Sequence, residues 1–294
     1  MTGQGFDYAT MVGRNLGFVS AAEQERLRRA RVFVCGVGGM GGACLMSLVR
    51  AGLGALTIAD IDVFEVSNLN RQLFADLATV GRGKVEATRE RLLEIQPELR
   101  LETYGAEWVD HLDRILASAP VVVNGMDDVA AGIHLYRKAQ QHGATVIDAY
   151  TSPLPSVTVV GPADPRPEER LGYPTRGVAW AEIGEDDAAE CALREVEYVL
   201  THSSSRHHLD LDAAVEMVSG RRSRMSLAPM VITAGNLMCF EVLNAVLGRP
   251  SGTDHRGYFF NPWTARVEKP RGRLAAAAIG FLVRRFLRRT LDTR

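Results

Sequence analysis

The chain has 294 residues, of which 46% are hydrophobic, and its formal net charge is −1. This length can bury one large core, and the near-zero charge excludes the global basic field that attracts nucleic acid. The four cysteines are scattered without the paired spacing of a disulfide framework, which is typical of a reducing compartment. The N-terminus carries no long apolar run, so we expect no signal peptide and a cytoplasmic protein.

The first predicted elements lead into a buried strand. Residues 1–19 are polar and contain glycine, so the simplest interpretation of Arg14 is a solvated side chain in a loose terminal segment. Ser20 and Glu23 form a capping-box pattern before a basic helix over residues 21–30. The apolar run over residues 32–35 then predicts a buried parallel strand.

A glycine turn follows this strand. Its residues have the spacing G-x-G-G-x-G and are Gly36, Gly38, Gly39 and Gly41. A predicted helix over residues 43–51 and a strand over residues 55–59 follow, and the strand ends on Asp60. This is the order of a dinucleotide-type βαβ unit. Such glycines let backbone N–H groups approach a phosphate at a helix N-terminus, and the acid can accept hydrogen bonds from both ribose hydroxyls.

The rest of the chain alternates helices and strands. Helices are predicted over residues 84–95, 108–117, 131–141 and 231–247, and strands over residues 99–104, 120–124 and 145–149. This alternation predicts an α/β fold, a Rossmann-like mostly parallel sheet with helices on both faces. Further strands over residues 155–160, 258–260 and 265–268 predict a C-terminal antiparallel lobe. The apolar segment over residues 231–247 contains polar interruptions, which favours a buried helix over a membrane span.

Charged residues after the βαβ unit match the needs of a triphosphate. Arg71 in NLNRQ and Lys84 in GRGK can balance phosphate charge, although each alone is typical of a surface cation. Asp127 follows a predicted strand, where a carboxylate either caps the next helix or binds Mg²⁺ beside phosphate oxygens. We favour the magnesium interpretation. For Asp62 a surface or turn acid is the competing interpretation.

Together these motifs resemble the ThiF/MoeB/HesA family, adenylating enzymes related to the catalytic domain of ubiquitin-activating enzymes. The matching segments are GVGGMG, the ADID end of the second strand, SNLNRQ, GRGK and MDD. Asp128 departs from the family, which usually has asparagine there. The resemblance implies a ThiF-type adenylation domain over residues 1–270, ATP and Mg²⁺ as cofactors, and a homodimer. The nucleotide-binding residues that it implies are Gly36, Gly38, Gly39, Gly41, Asp60, Asp62, Asn68, Arg71 and Lys84, with Asp127 on magnesium.

The resemblance also implies roles for two residues outside this set. An N-terminal arginine of the family reaches the triphosphate of the partner subunit, and Arg14 is the candidate here. The family's crossover region, residues 163–227 in this chain, lies over the adenylate and holds a reactive cysteine in some members. Cys191 is therefore a candidate acceptor of an acyl group or sulfur, although its acidic neighbours would raise the thiol pKa and favour an incidental thiol.

The crossover region contains an unmatched insertion around residues 182–220, with a predicted helix over residues 209–218. His202, His207 and His208 lie there without further metal ligands nearby, so we expect a polar loop. Many relatives carry two Cys-x-x-Cys pairs for structural zinc. This sequence has none, so we expect no zinc.

The function that the resemblance implies is ATP-dependent adenylation of a carboxylate, at the C-terminus of a small ubiquitin-like or sulfur-carrier protein or of a peptide. One branch of the family activates a carboxylate on a modified tRNA nucleoside instead, and nucleic acid would be a partner only in that case. An NAD(P)-dependent oxidoreductase would use the same βαβ unit but leave Arg71, Lys84 and Asp127 unexplained. A non-catalytic scaffold would leave the same residues without a role.

The C-terminal tail, residues 271–294, departs from the family pattern. It is apolar over residues 274–283, too short a run to span a bilayer, and then strongly basic. Such a segment is typical of a helix on an anionic membrane surface, of a helix packed on a protein, or of a solvated helix face. We favour the protein contact.

Overall fold

The computed structural model describes residues 5–210, 216, 222–223 and 225–292. Eight strands form one sheet: β1 (Arg31–Cys35), β2 (Ala55–Ala59), β3 (Arg100–Tyr104), β4 (Val121–Asn124), β5 (Thr145–Asp148), β6 (Ser156–Val160), β7 (Tyr258–Asn261) and β8 (Arg266–Glu268). Their order across the sheet is β3-β2-β1-β4-β5-β6-β7-β8. The first five strands pair in parallel. The predicted antiparallel strands are present, and β6 joins them to the edge of the parallel sheet.

Helices cover both faces of this sheet, as predicted. The helices of the described chain are α1 (Tyr8–Val12), α2 (Ala21–Arg29), α3 (Gly39–Arg50), α4 (Lys84–Ile95), α5 (Trp108–Ser118), α6 (Val129–Gln141), α7 (Pro167–Arg170), α8 (Glu185–His202), α9 (Ala228–Leu247) and α10 (Arg273–Asp292). Val32 and Val34 of β1 pack in one core with α3, α4 and α9, whereas Phe33 packs on the other face with α5 and α6. Alternate side chains of a strand point to opposite faces, so β1 contributes to both cores.

Several predicted bounds differ from the observed ones. Helix α3 begins at Gly39, four residues before the predicted start, because the glycine turn itself forms the first helical turn. The acidic run of the insertion forms α8. His202 lies in its last turn and His207 in the 3-10 helix Ser205–His207, so the predicted polar loop is wrong for these two residues. Of the helix predicted over residues 209–218, residues 209 and 210 are not helical, and 211–215 and 217–218 lie outside the described residues.

Helix α9 has the packing of a core helix. Among the described residues it is the one helix long and apolar enough to cross a membrane, by length and composition alone. Its Met238 and Val242 are fully buried in the core beside the sheet. Gly235 lies directly on α3, where an added side-chain carbon would be 2.4 Å from the carbonyl oxygen of Met40 and 2.6 Å from Cβ of Ala43.

The C-terminal tail forms α10, which packs against α8. Val283 and Leu287 are buried in this contact, and Arg284 Nη1 lies 2.6 Å from Glu197 Oε1. Elsewhere on its surface α10 exposes four large apolar side chains: Leu274, Phe281, Leu282 and Phe286. A contact of this exposed face with another protein or with a membrane surface stays a prediction.

We expect Gly235→Ala to lower the free energy of unfolding by about 1–3 kcal/mol, because the added methyl group overlaps the α3 backbone. Gly13→Ala is the matched control, since nothing lies within 4 Å of the position that its Cβ would take and its φ is −55°. That change should be neutral or stabilise by about 0.4–1 kcal/mol. Urea denaturation measures both. Equal midpoints for the two variants would contradict the close helix contact.

Candidate active site

A cavity of 680 Å³ lies at the carboxyl ends of β1, β2 and β4, where doubly wound sheets bind their ligands. We call it the glycine-turn cavity. The residues predicted from sequence that line it are Gly36, Gly38, Gly39, Asp60, Asp62, Arg71, Lys84 and Asp127. Arg14, Gly41, Asn68 and Cys191 lie outside its wall. The fold therefore gathers eight of the twelve predicted residues in one place.

The glycine turn is packed directly against the loop after β4. Gly36 has a φ of +89°, and an added Cβ would lie 2.4 Å from the carbonyl carbon of Gly125. A Cβ on Gly41 would lie 1.9 Å from the carbonyl oxygen of Gly36, so Gly41 serves this packing from beneath the cavity. Helix α3 starts here with Gly38 as its N-cap. The first backbone N–H groups of a helix lack intrahelical partners, so this turn offers donors to an anion.

Asp60 fastens the glycine turn to the end of β2. Its Oδ2 accepts a hydrogen bond from the backbone N–H of Val37 at 2.8 Å, and its Oδ1 accepts one from the N–H of Asp62 at 3.0 Å. Burial raises the pKa of the Asp60 carboxyl, against the opposing effect of these donors and Lys84. Each carboxylate oxygen retains acceptor capacity after one hydrogen bond, so the side chain can also receive hydroxyl donors from the cavity.

Lys84 is held by Asp62. The Lys84 Nζ lies 2.8 Å from Asp62 Oδ2, and the Lys84 backbone N–H donates to the Asp62 carbonyl at 2.9 Å. The lysine side chain is 8% exposed and the aspartate 58% exposed. The ammonium group therefore faces the cavity from a fixed position with an acid beside it.

Arg71 is positioned by its own loop. Its Nη1 donates to the carbonyl oxygen of Ser67 at 2.9 Å and to Asn70 Oδ1 at 2.8 Å. Asn68 is buried behind this loop, where its Oδ1 accepts from the N–H of Glu65 at 3.1 Å. Asn68 therefore shapes the segment that presents Arg71.

Gln72 is a cavity residue that belongs to the SNLNRQ motif but has no role predicted from sequence. It is buried, and its Oε1 has no hydrogen-bond partner in the described chain. Its Nε2 lies 3.5 Å from where a Cβ of Gly38 would be. An unpaired buried amide oxygen beside the turn is suited to a donor on a bound ligand.

Asp127 and Asp128 take different roles at the end of β4. Asp128 Oδ1 accepts from the N–H of Ala131 at 2.9 Å and caps α6. Asp127 is exposed in the cavity, and its carboxylate forms no hydrogen bond or ion pair with the described part of the chain. The helix-cap interpretation therefore applies to Asp128. Among the described residues no cluster of three His, Cys, Asp or Glu forms a metal site.

A second cavity of 430 Å³ adjoins the first beneath α8, and we call it the α8 cavity. The two cavities share six lining residues: Met40, Met126, Asp127, Asp128, Tyr150 and Thr151. Cys191 lines the α8 cavity, where it is buried, and burial raises its thiol pKa to about 11. A thiol in this state carries little thiolate near neutral pH.

Asp148 is a half-buried acid in the α8 cavity that no sequence motif indicated. Its Oδ2 accepts hydrogen bonds from Asn124 Nδ2 at 2.9 Å and Tyr136 Oη at 2.8 Å. Burial raises the pKa of its carboxyl to about 6, and the negative Glu195 adds to the shift. The position of Asp148 at the end of a predicted strand was the signal available in the sequence, because Asp60 and Asp127 occupy equivalent places.

The model of the ThiF family matches residues 12–278. The chain belongs to the ThiF family. It is 40% identical over 108 residues to the molybdopterin-synthase adenylyltransferase of Salmonella typhimurium, which covers 36% of this chain and 43% of that enzyme. It is 38% identical over 106 residues to the sulfur carrier protein adenylyltransferase of Thermus thermophilus, covering 36% and 39%. The tRNA threonylcarbamoyladenosine dehydratase of Bacillus subtilis is 31% identical over 134 residues, covering 42% and 50%.

Solved structures are similar in fold over most of this chain. Escherichia coli MccB with ATP superimposes with a TM-score of 0.63 at 17% identity, over 90% of this chain and 71% of that one. The structure of PaaA gives a TM-score of 0.60 at 18% identity, over 92% and 86%. The alignments with curated relatives span half of their lengths or less. The substrate and partners of this chain are therefore proposals.

We expect Asp148 to make stability depend on pH. Its folded pKa, about 6, lies above the ordinary aspartate value of 3.8, so the folded state binds more protons between these values. We therefore subtract the unfolding free energy of Asp148→Asn from that of the wild type. This difference should fall by on the order of 2 kcal/mol as pH rises from 4 to 7. Denaturant titrations at several pH values measure it. A difference that is constant across this range would contradict the raised pKa.

Asp113→Asn supplies a control of opposite sign for this experiment. Hydrogen bonds from Lys138 and then His142 lower the Asp113 pKa. Its contribution to stability is present above the unfolded pKa and is lost as pH falls through the folded pKa. The unfolding free energy of the wild type minus that of Asp113→Asn should therefore rise as pH increases through the acid range in which Asp113 loses its proton.

We expect Cys191→Ser to leave any transfer of an activated acyl group to an acceptor within about two-fold of wild type, because the buried thiol is a weak nucleophile. Labelling with iodoacetamide at pH 7 should be slow at Cys191 in the native protein and fast in urea. Fast labelling of Cys191 in the native protein would support the acceptor role. So would a Cys191→Ser variant that retains exchange but no longer transfers the acyl group to an acceptor.

Proposed function

We propose that the chain catalyses ATP-dependent adenylation of a carboxylate. The observation that carries the proposal is the glycine-turn cavity, which is surrounded by two cationic side chains, a helix N-terminus and the Asp60 carboxylate. The separate carboxylate of Asp127 at its edge has no partner among the described residues. A dinucleotide of the NAD type would not require Arg71, Lys84 and Asp127 together.

The reaction follows from these groups. An oxygen of the substrate carboxylate attacks the α-phosphorus of ATP, the bond to the β-phosphate oxygen breaks, and pyrophosphate leaves with the electron pair. The products are an acyl-adenylate and pyrophosphate, and no proton is transferred. Catalysis therefore consists of positioning and of stabilising negative charge, for which this cavity supplies fixed donors.

Each side chain has a role that its contacts support. Asp60 accepts hydrogen bonds from the ribose hydroxyls, and the first N–H groups of α3 meet phosphate oxygens. Arg71 and Lys84 balance phosphate charge, with Asp62 holding the ammonium in position. Asn68 supports the Arg71 loop from behind.

Asp127 is the residue that would hold magnesium. Its carboxylate fits this role because it is exposed at the edge of the glycine-turn cavity and has no partner in the described chain. Magnesium is commonly bound by one or two carboxylates with phosphate oxygens and water completing the shell. When bound, the ion neutralises phosphate charge as bonds change at the α-phosphorus. The Asp127 carboxylate itself orients the ion and adds nothing to proton transfer.

The acyl substrate is the C-terminus of a small sulfur-carrier or ubiquitin-like protein, or a peptide. Support comes from relatives named as adenylyltransferases of a sulfur carrier protein and of molybdopterin synthase, and from MccB structures with MccA. Residues 1–270 form the adenylation domain in this proposal and residues 271–294 a basic tail. A homodimer would bring Arg14 of one subunit toward the triphosphate of the other.

The tRNA-nucleoside alternative has one supporting observation, the 31% identity to the Bacillus subtilis dehydratase. The net charge of −1 argues against it, because nucleic-acid binding relies on cationic surface. The experiment that separates the candidates is ATP–pyrophosphate exchange with purified protein and Mg²⁺, against carrier proteins, peptides and unmodified or modified tRNA. Exchange that needs a carrier or peptide supports the proposal. Binding of NADH without binding of ATP would overturn it.

We expect Asp127→Ala to lower ATP–pyrophosphate exchange by about 10²–10³-fold, because phosphate charge would lose its metal-bound partner. Asp128→Ala is the matched control at the next position. It removes the cap of α6 and should cost about 1 kcal/mol of stability while keeping most of the exchange activity. Thermal melting and the exchange rate measure the two effects. Equal loss of exchange in both variants would remove Asp127 from the magnesium site.

A further inference from the structure

The α8 cavity contains an arginine whose buried nitrogens have no partner among the described residues. Arg170, at the end of α7, lines this cavity, and the unpartnered atoms are its Nε and Nη1. Its guanidinium forms no ion pair with the described part of the chain. It lies over the rings of Tyr150 and Tyr198, with its Cζ 5.6 Å and 4.7 Å from the two centroids. The two rings hold the guanidinium in place.

Apart from Asp127, which lies where the two cavities meet, the carboxylates that line this cavity are engaged with other donors, and Asp128 caps α6. Asp148 accepts from Asn124 and Tyr136, as described above. Glu168 accepts from Thr175 Oγ1 at 2.9 Å and forms an ion pair with Arg137. Glu195 accepts from the N–H of Thr151 at 2.6 Å.

Burying a guanidinium whose N–H donors are unpaired costs free energy, and an anion that accepts hydrogen bonds from these donors offsets this cost. Carboxylate and phosphate are the groups that match its planar donor geometry. The space beside Arg170 is therefore suited to a negatively charged group.

We propose that the α8 cavity receives an anionic side group of the acyl substrate and that Arg170 binds its carboxylate. This inference rests on the proposed adenylation. The two cavities meet at Asp127 and Thr151, so one molecule can present its reacting carboxylate to the nucleotide and its side group to Arg170. The volume of 430 Å³ lies within the range of small-ligand pockets. The substrate is thus a chain whose last residues include an acidic side chain.

The test compares two peptides that differ only in charge, Ala-Ala-Ala-Glu and Ala-Ala-Ala-Gln, by calorimetry with and without a non-hydrolysable ATP analogue. Wild type should bind the glutamate peptide at least about ten-fold more tightly. Arg170→Gln should remove this preference, and Arg170→Lys should retain part of it. Arg194→Gln is the control, because Arg194 lies on α8 with Glu190 as its ion-pair partner and outside the cavity wall.

The analogue should bind equally to all four proteins, since Arg170 does not line the glycine-turn cavity. Equal affinity for the two peptides, no binding of either, or a preference that persists in Arg170→Gln would overturn the inference. Failure of the proposed adenylation would look different. The preference for the glutamate peptide would persist, but the ATP analogue would not bind or ATP–pyrophosphate exchange would be absent.

Discussion

The structure depends on the contact between the glycine turn and the loop after β4. Gly36, Gly41 and Gly125 meet backbone to backbone at distances that leave no room for a side-chain carbon. This contact sets the separation between the start of α3 and the end of β4, and so determines how far the α3 N–H groups lie from Asp127. Asp60 completes the arrangement by hydrogen bonding the turn to the end of β2. The turn is held firmly because its backbone is close-packed on one side and hydrogen-bonded on the other, which suits it to the proposed nucleotide.

Most charged side chains at the site have a hydrogen-bond or ion-pair partner. Lys84 is nearly buried, and Asp62 next to it keeps the ammonium from being an isolated buried charge. Arg71 is satisfied by its loop on one side and faces the cavity on the other. Among the described charged residues that line the two cavities, Asp127 and Arg170 are the exceptions, the first with an exposed carboxylate and the second with buried guanidinium nitrogens. Asp127 lies where the two cavities meet and Arg170 lies in the α8 cavity, so the proposed substrate would meet both.

The first five strands and the glycine turn could be predicted from the sequence because both depend on local chemistry. Three local features illustrate this: the apolar run of β1, the turn glycines and the acid after β2. Each indicates its structure through its own residue types or periodicity. Arg170 and Glu195 could not be predicted in this way. They lie in a proline-rich segment and an acidic helix whose roles arise only when α8 packs over the end of β5. His202 shows the same limit, since its helix was obscured by the polar run that follows it.

The glycine turn also has a consequence for divergence within a family. Part of the cavity wall is formed by backbone N–H groups at the start of α3, which every residue type except proline supplies. The far side of the same cavity is made of side chains, among them Leu227, Val231 and Trp263. Mutation can therefore change the side-chain wall while the backbone turn opposite it keeps its donors. A family can in this way retain one glycine turn while the residues facing it change to fit different ligands.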